Sequence, residues 1–150
     1  METTLGTLIK GKGSYVVSAK PKDTVYDCVQ KMKEAHVGGL LVLEEDNIVG
    51  VFTERDLMIK VVSGKMNPET TLVHQVMNKK VMCVAPSTTI GEAMAIMSEK
   101  RIRHLPVIED SHLAGLISIG DITKWLTSTH VKQVEEIDEL IRYINGAYSV

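Results

Sequence analysis

Two short apolar runs separated by a polar turn are the clearest pattern in the first half of the chain. Residues 40–43 and 48–52 are rich in branched apolar side chains, and the polar residues 45–47 lie between them. Runs of this length and composition favour buried strands, and a short polar connection favours an antiparallel pair. The pattern therefore predicts a β-hairpin with one face turned towards a core.

The segments on either side of this hairpin have the three-to-four-residue periodicity of helices. Apolar residues recur at this spacing over residues 25–35, directly after Thr24, whose hydroxyl can accept a hydrogen bond from an unpaired backbone N–H. A helical pattern resumes over residues 56–62, and β-branched residues predict a short strand at residues 15–18. The first half is therefore expected to have the order β-α-β-β-α, after a short N-terminal helix.

The second half of the chain repeats the first. Gly50 to Asp56 contains a glycine, two apolar residues, a hydroxyl residue, two variable residues and an aspartate, and Gly115 to Asp121 repeats this layout 65 residues later. One register held across a helix, two strands and a turn indicates an internal duplication. At this separation the chain has nine notable identical pairs: Pro21/Pro86, Thr24/Thr89, Met32/Met97, Glu34/Glu99, Leu40/Leu105, Val42/Val107, Glu44/Glu109, Gly50/Gly115 and Asp56/Asp121.

The repeat divides the chain into four parts. These are a first copy with its N-terminal helix (1–64), a linker (65–69), a second copy (70–128) and a C-terminal helix with a tail (129–150). The segment 70–72 echoes the segment 3–5, 67 residues earlier. An apolar stripe opposite acidic residues predicts the C-terminal amphipathic helix: Val131, Val134, Ile137, Leu140, Ile141 and Ile144. The alternation of strands and helices predicts an α/β protein (α+β by some schemes).

Composition and charge exclude several classes of protein. The net charge is −2 at pH 7 and aromatic residues make up 4% of the chain, which argues against nucleic acid or an acidic membrane surface as partner. No apolar run approaches the roughly 20 residues that span a bilayer, and the N-terminus lacks a signal-peptide layout. We therefore expect a cytoplasmic protein, or a plant mitochondrial or plastid protein if a transit peptide has been removed. Cys28 and Cys83 form no CxxC motif and are both predicted to lie in the core.

The hydroxyl–aspartate pairs that follow the two hairpins are the candidate functional groups. A carboxylate in the first turn of a helix, such as Asp56 or Asp121, can accept hydrogen bonds from two ribose hydroxyls, and a helix N-terminus favours a phosphate. An aspartate at this position is also a common helix cap, so a purely structural role remains open. We expect no catalytic residues and no metal site, because the chain has no P-loop, nucleophile elbow or metal-ligand histidine spacing.

The repeat resembles the cystathionine-β-synthase (CBS) domain family, and a tandem pair resembles the unit called a Bateman module. Three stretches carry the resemblance: Thr53-Glu54-Arg55-Asp56, Arg101-Ile102-Arg103-His104-Leu105-Pro106-Val107 and Ser118-Ile119-Gly120-Asp121. They are most similar to stand-alone CBS-pair proteins of bacteria and plant organelles. The resemblance implies two tandem β-α-β-β-α motifs in a pseudo-twofold arrangement, followed by a C-terminal amphipathic helix.

The resemblance also implies two ligand clefts, each taking its aspartate from one copy and its adenine wall from the other. The first cleft would be lined by Thr53, Arg55, Asp56, Met82, Ile102 and Arg103. The second cleft would be lined by Val17, Val37, Gly38, His104, Ser118, Gly120 and Asp121. Because family members bind adenosyl ligands, AMP, ADP or ATP is the expected ligand, ahead of S-adenosylmethionine or NAD, and no cofactor is required.

The two implied clefts differ in charge. Arg55 corresponds to Gly120, and Arg103 corresponds to Gly38, so the cleft that contains Asp56 should bind phosphate more tightly. The leading hypothesis is a non-enzymatic sensor of adenine nucleotides that forms a homodimer through its CBS motifs and signals to an unidentified regulated protein. The alternative is a structural dimerisation or interaction module with vestigial clefts. An enzyme such as a nucleotide hydrolase is a third hypothesis.

Overall fold

The structure of the protein is a computed structural model, which describes residues 2–13, 15–129 and 135. The first half has the predicted β-α-β-β-α order after an N-terminal helix. Its elements are α1 (Leu5–Lys12), β1 (Ser18–Ala19), α2 (Val25–Ala35), β2 (Gly39–Glu44), β3 (Asn47–Thr53) and α3 (Glu54–Asp56), which continues as a π-helix (Leu57–Val62).

The second half repeats this order. It consists of a 3₁₀ turn (Val73–Gln75), α4 (Ile90–Lys100), β4 (His104–Glu109), β5 (His112–Ser118) and α5, whose residues 119–129 are helical. No helix in these described ranges combines the length and the apolar content needed to cross a membrane. The apolar stripe predicted from Val131 to Ile144 lies outside the described residues.

The two hairpins share one register, including an irregularity at the same place. Val42 pairs with Gly50 in the first hairpin and Val107 pairs with Gly115 in the second, and in each the register shifts directly after the valine. A β-bulge of this kind is a local feature that an antiparallel pair does not require. Its presence at equivalent positions confirms that the chain is an internal duplication with a mixed α and β fold.

Two local predictions differ from the structure. The strand predicted at residues 15–18 begins only at Ser18, because only residues 18 and 19 pair with β2. Cys28 is buried in the first core as predicted, and this burial raises the pKa of its thiol to about 11. The core prediction for Cys83 is wrong, since its side chain is exposed beside Val84, the residue that bridges to β4.

Each copy is completed by the segment that precedes the other copy. At the start of α4, Ile90 N–H donates to Thr3 O (3.0 Å), and Leu5 N–H donates to Thr88 O (2.8 Å). Helix α1 is therefore joined through its backbone to the second copy, although it precedes the first copy in the chain.

The same bonds recur at the start of α2. Val25 N–H donates to Thr71 O (2.9 Å), and Val73 N–H donates to Asp23 O (2.8 Å). The equivalent of Leu5 is thus Val73, at a separation of 68 residues, and the separation of 67 suggested by the Thr-Thr-Leu echo is wrong by one residue. The physical reason is burial, because Leu5 and Val73 are both 0% exposed.

The exchange carries apolar side chains of one half into the core of the other. Leu5 and Leu8 of α1 complete the second core, formed with Ile90, Ala93, Met97, Leu105, Val107, Ile117 and Ile122. Val73 and Val76 complete the first core, formed with Val17, Ala19, Val25, Cys28, Met32, Leu40, Val42, Phe52 and Val61. A unit of about 60 residues buries too little surface to be stable with confidence in its own core, so each half gains from the other.

The two hairpin sheets face each other across a seam. Leu41 is fully buried, although its neighbours on β2 point into the first core, and Pro106 is the equivalent buried residue of β4. At one end of the seam, the His104 ring lies 3.1–3.3 Å from the position that a Cβ on Gly39 would take. Residue 39 must therefore be glycine for the sheets to approach this closely.

The exchange of α1 predicts an unusually large effect for a residue near the N-terminus. Leu5→Ala should lower the free energy of unfolding by about 2–5 kcal/mol, because it opens a cavity in the second core. Chemical denaturation measures this value, and Lys10→Ala, an exposed position on the same helix, should change it by less than about 0.5 kcal/mol. Equal, small effects of both changes would show that α1 does not complete this core.

Candidate ligand-binding cleft

A cleft of about 820 Å³ opens between the two copies. One wall is the end of β3 with α3 and the π-helix, and the other wall consists of residues 78–82 and 100–104. This volume lies within the range of roughly 300–1,000 Å³ typical of small-molecule sites. The cleft exists because the seam brings an element of each copy to the same opening.

The structure brings the residues predicted for the first cleft together. All six line the large cleft: Thr53, Arg55, Asp56, Met82, Ile102 and Arg103. Gly38 and His104, predicted for the second cleft, line this same cleft. The other five predicted residues do not line it: Val17, Val37, Ser118, Gly120 and Asp121. Of these, Val17 packs within the first core.

Asp56 is held in place as part of a helix cap. Its Oδ2 accepts hydrogen bonds from the Thr53 backbone N–H (3.0 Å) and from Thr53 Oγ1 (3.0 Å). Its Oδ1 lies 3.1 Å from Nζ of Lys60, one turn further along the helix, and this ammonium also donates to Val76 O at 2.9 Å. Because each carboxylate oxygen has two lone pairs, Asp56 retains capacity for further hydrogen bonds.

Asp121 has the same cap and a shorter ion pair. Its Oδ2 accepts from Ser118 N–H (2.8 Å) and Ser118 Oγ (2.9 Å) and lies 2.6 Å from Nζ of Lys12, which also donates to Leu116 O (2.8 Å). Burial raises the pKa of Asp121, but the hydrogen bonds from Lys12 and Ser118 outweigh this effect, so the pKa is lowered. Helix α1 thus places a cation on the second aspartate.

Basic side chains dominate the charge of the large cleft. Two acidic residues line it, Glu54 and Asp56, against six basic residues: Arg55, Lys60, Lys80, Lys100, Arg101 and Arg103. The whole chain carries a net charge of −2, so positive charge is concentrated here against the overall balance. A cleft with one sign of charge and low-dielectric walls raises the local concentration of ligands of the opposite charge.

The duplicated positions do not repeat this charge. Four of the basic residues have equivalents 65 residues away that carry no permanent charge: Arg55 and Gly120, Lys100 and Ala35, Arg101 and His36, and Arg103 and Gly38. The two sides of the seam therefore share a backbone but differ in electrostatics, and the difference favours anions on the side of Asp56.

Sequence reasoning missed part of the cleft lining. Lys80, Lys100 and Arg101 carry its charge, and the run of basic residues from 100 to 103 was the available signal. Met58 and Ile59 form part of its apolar lining, and they belong to the π-helix. There Ser63 N–H bonds to Met58 O, five residues back, a wider turn than the α-helical periodicity predicts.

The fold and the cleft define the class of protein as a tandem β-α-β-β-α pair with an interdomain ligand cleft. A family model described as "CBS domain" matches residues 14–63 and 73–128. The chain therefore belongs to the CBS-domain family, whose tandem pairs are regulatory modules, and the resemblance drawn from the sequence motifs is confirmed.

Known relatives agree with this assignment. The chain is 35% identical over 155 residues to the mitochondrial CBS domain-containing protein CBSX3 of Arabidopsis thaliana, covering 97% of this chain and 74% of the relative. A solved structure of a protein with CBS domains from Burkholderia ambifaria MC40-6 is 40% identical, with a TM-score of 0.81, over 84% of this chain and 95% of that one. A hexameric CBS-CP12 protein from bloom-forming cyanobacteria is 29% identical, with a TM-score of 0.73, over 99% and 91% of the two chains.

The ion pair of Asp121 predicts a pH-dependent stability difference. The carboxylate stabilises the fold above its ordinary pKa of 3.8, and this contribution is lost as the pH falls through the lower folded-state pKa. Asp121→Asn should therefore lower the free energy of unfolding at pH 7, by roughly 1 kcal/mol or less for a partly exposed pair. Denaturation between pH 7 and pH 2 should show the difference vanish in acid, whereas the exposed turn variant Asp110→Asn should differ little throughout.

Proposed function

We propose that the protein is a non-enzymatic sensor of adenine nucleotides, which binds AMP, ADP or ATP in the cleft that contains Asp56. Binding would alter the relative position of the two copies or of two chains in a homodimer, and a regulated partner protein would respond to the change. The observation that carries the proposal is the concentration of six basic residues in one interdomain cleft of an acidic chain.

The lining offers a suitable group for each part of a nucleotide. Met82 and Ile102 provide apolar surface for an adenine ring. Asp56 stands beside them at the start of a helix, where a carboxylate can accept hydrogen bonds from a ribose diol. Arg55 and Arg103 are exposed cations whose guanidinium groups can chelate phosphate oxygens. The three kinds of group needed for an adenosyl ligand thus occur in one cleft.

An interaction module with a vestigial cleft is the second candidate. Both oxygens of Asp56 already have partners, since Thr53 bonds to Oδ2 and Lys60 lies beside Oδ1. Beside the cleft, Met58 is 60% and Val62 is 67% exposed, which offers an apolar surface to another chain. This reading is compatible with the hexameric CBS-CP12 relative, and it predicts no nucleotide binding in calorimetry.

Arg103 provides a direct test of the proposed phosphate contact. Arg103→Ala should weaken ATP binding at least about tenfold, because a charge-assisted hydrogen bond contributes roughly 1.5–3 kcal/mol. Isothermal titration calorimetry measures the affinity, and Lys22→Ala, an exposed cation outside the cleft, should leave it unchanged. A wild-type protein that binds none of AMP, ADP and ATP would favour the interaction module instead.

The charge difference across the seam predicts the stoichiometry. We expect one nucleotide per chain, bound on the side of Asp56. The conservative variant Asp56→Asn should reduce affinity about tenfold or more, since it removes the charge that strengthens hydrogen bonds from the ribose, while keeping a side-chain oxygen for the helix cap. The duplicated variant Asp121→Asn is the matched control, and an equal loss of affinity in both variants, or two bound nucleotides, would contradict the assignment.

A further inference from the structure

His104 occupies a position that the duplication makes unique. It begins β4, lines the large cleft, and is the equivalent of Gly39 in the other copy. The two residues meet at the seam, where atoms of the imidazole ring lie 3.1, 3.2 and 3.3 Å from the position of a Cβ on Gly39. The absence of a side chain at residue 39 thus leaves the space in which the ring packs.

Four charged groups from different elements face the imidazole. They are Lys12 at the end of α1, Glu54 in α3, Arg103 directly before β4, and Asp121 in α5. Burial lowers the pKa of His104, Lys12 and Arg103 lower it further, and the two carboxylates oppose this effect without cancelling it. The imidazole is therefore predominantly neutral at pH 7.

An anion in the cleft would reverse this balance. Its negative charge would lie among the six basic residues of the lining and would offset the repulsion from Arg103, which favours the imidazolium form. A neutral imidazole donates one hydrogen bond, whereas an imidazolium donates two, and its bond to a phosphate oxygen is charge-assisted. Protonation and anion binding therefore support each other.

We propose that His104 takes up a proton from solvent when the phosphate groups of a nucleotide occupy the cleft, so that nucleotide affinity increases as the pH falls from 8 to 6. This proposal rests on the proposed nucleotide binding and adds a proton linkage to it. Three other histidines provide internal controls, because His36, His74 and His112 are exposed and do not line the cleft.

Proton NMR of the imidazole Cε1–H resonances tests the linkage directly. The spectrum is followed from pH 5 to pH 9 with and without saturating ATP, and His104→Asn identifies the resonance by its loss. We expect ATP to raise the pKa of His104 and to leave those of His36, His74 and His112 nearly unchanged. A His104 titration that ATP does not shift, although calorimetry shows ATP bound, would overturn the proposal and leave the proposed function intact.

The affinity of the His104→Asn variant distinguishes proton linkage from packing. Relative to wild type, it should bind ATP roughly tenfold more weakly at pH 6 and nearly equally at pH 8, because only the protonated ring adds a charge-assisted bond. Comparing the two proteins at each pH cancels the ionisation of ATP itself, and His112→Asn should match wild type throughout. An equal loss at both pH values would overturn the linkage, and an absence of ATP binding to wild type at every pH would overturn the proposed function as well.

Discussion

The burial of each leading segment in the core of the opposite copy is the constraint on which the rest of the structure depends. Leu5 and Leu8 lie among side chains of the second copy, and Val73 and Val76 lie among side chains of the first. The apolar area that stabilises one half therefore includes surface contributed by the other. The two copies are bound into one folding unit, and the seam between their sheets has a fixed geometry.

A fixed seam allows the cleft to be assembled from two copies without losing its shape. Thr53 and Asp56 arrive from the end of one hairpin, and Arg103 and His104 arrive from the beginning of the other. None of these residues contributes to the two apolar cores, so they can change without loss of the fold. The contact between His104 and Gly39 is the exception, because it belongs to both the seam and the cleft.

The distribution of identical and different positions between the copies reflects this separation of roles. Met32 and Met97 are identical and lie in equivalent core positions, and Thr24 and Thr89 are identical and cap equivalent helices. The charged positions of the cleft differ between the copies. Duplication thus preserved the residues that stabilise the backbone, while the groups that would meet a ligand diverged on one side.

The sequence by itself determined the duplication, the hairpins and the family, because these depend on local periodicity and on motifs that recur at a constant separation. It also identified six residues that line one cleft, since the motifs that carry the family resemblance include them. Only the tertiary structure decided that α1 packs on the second copy, that Lys12 pairs with Asp121, and that His104 meets Gly39. These contacts join residues far apart in the chain, and no local pattern specifies which distant partner a buried or charged side chain will meet.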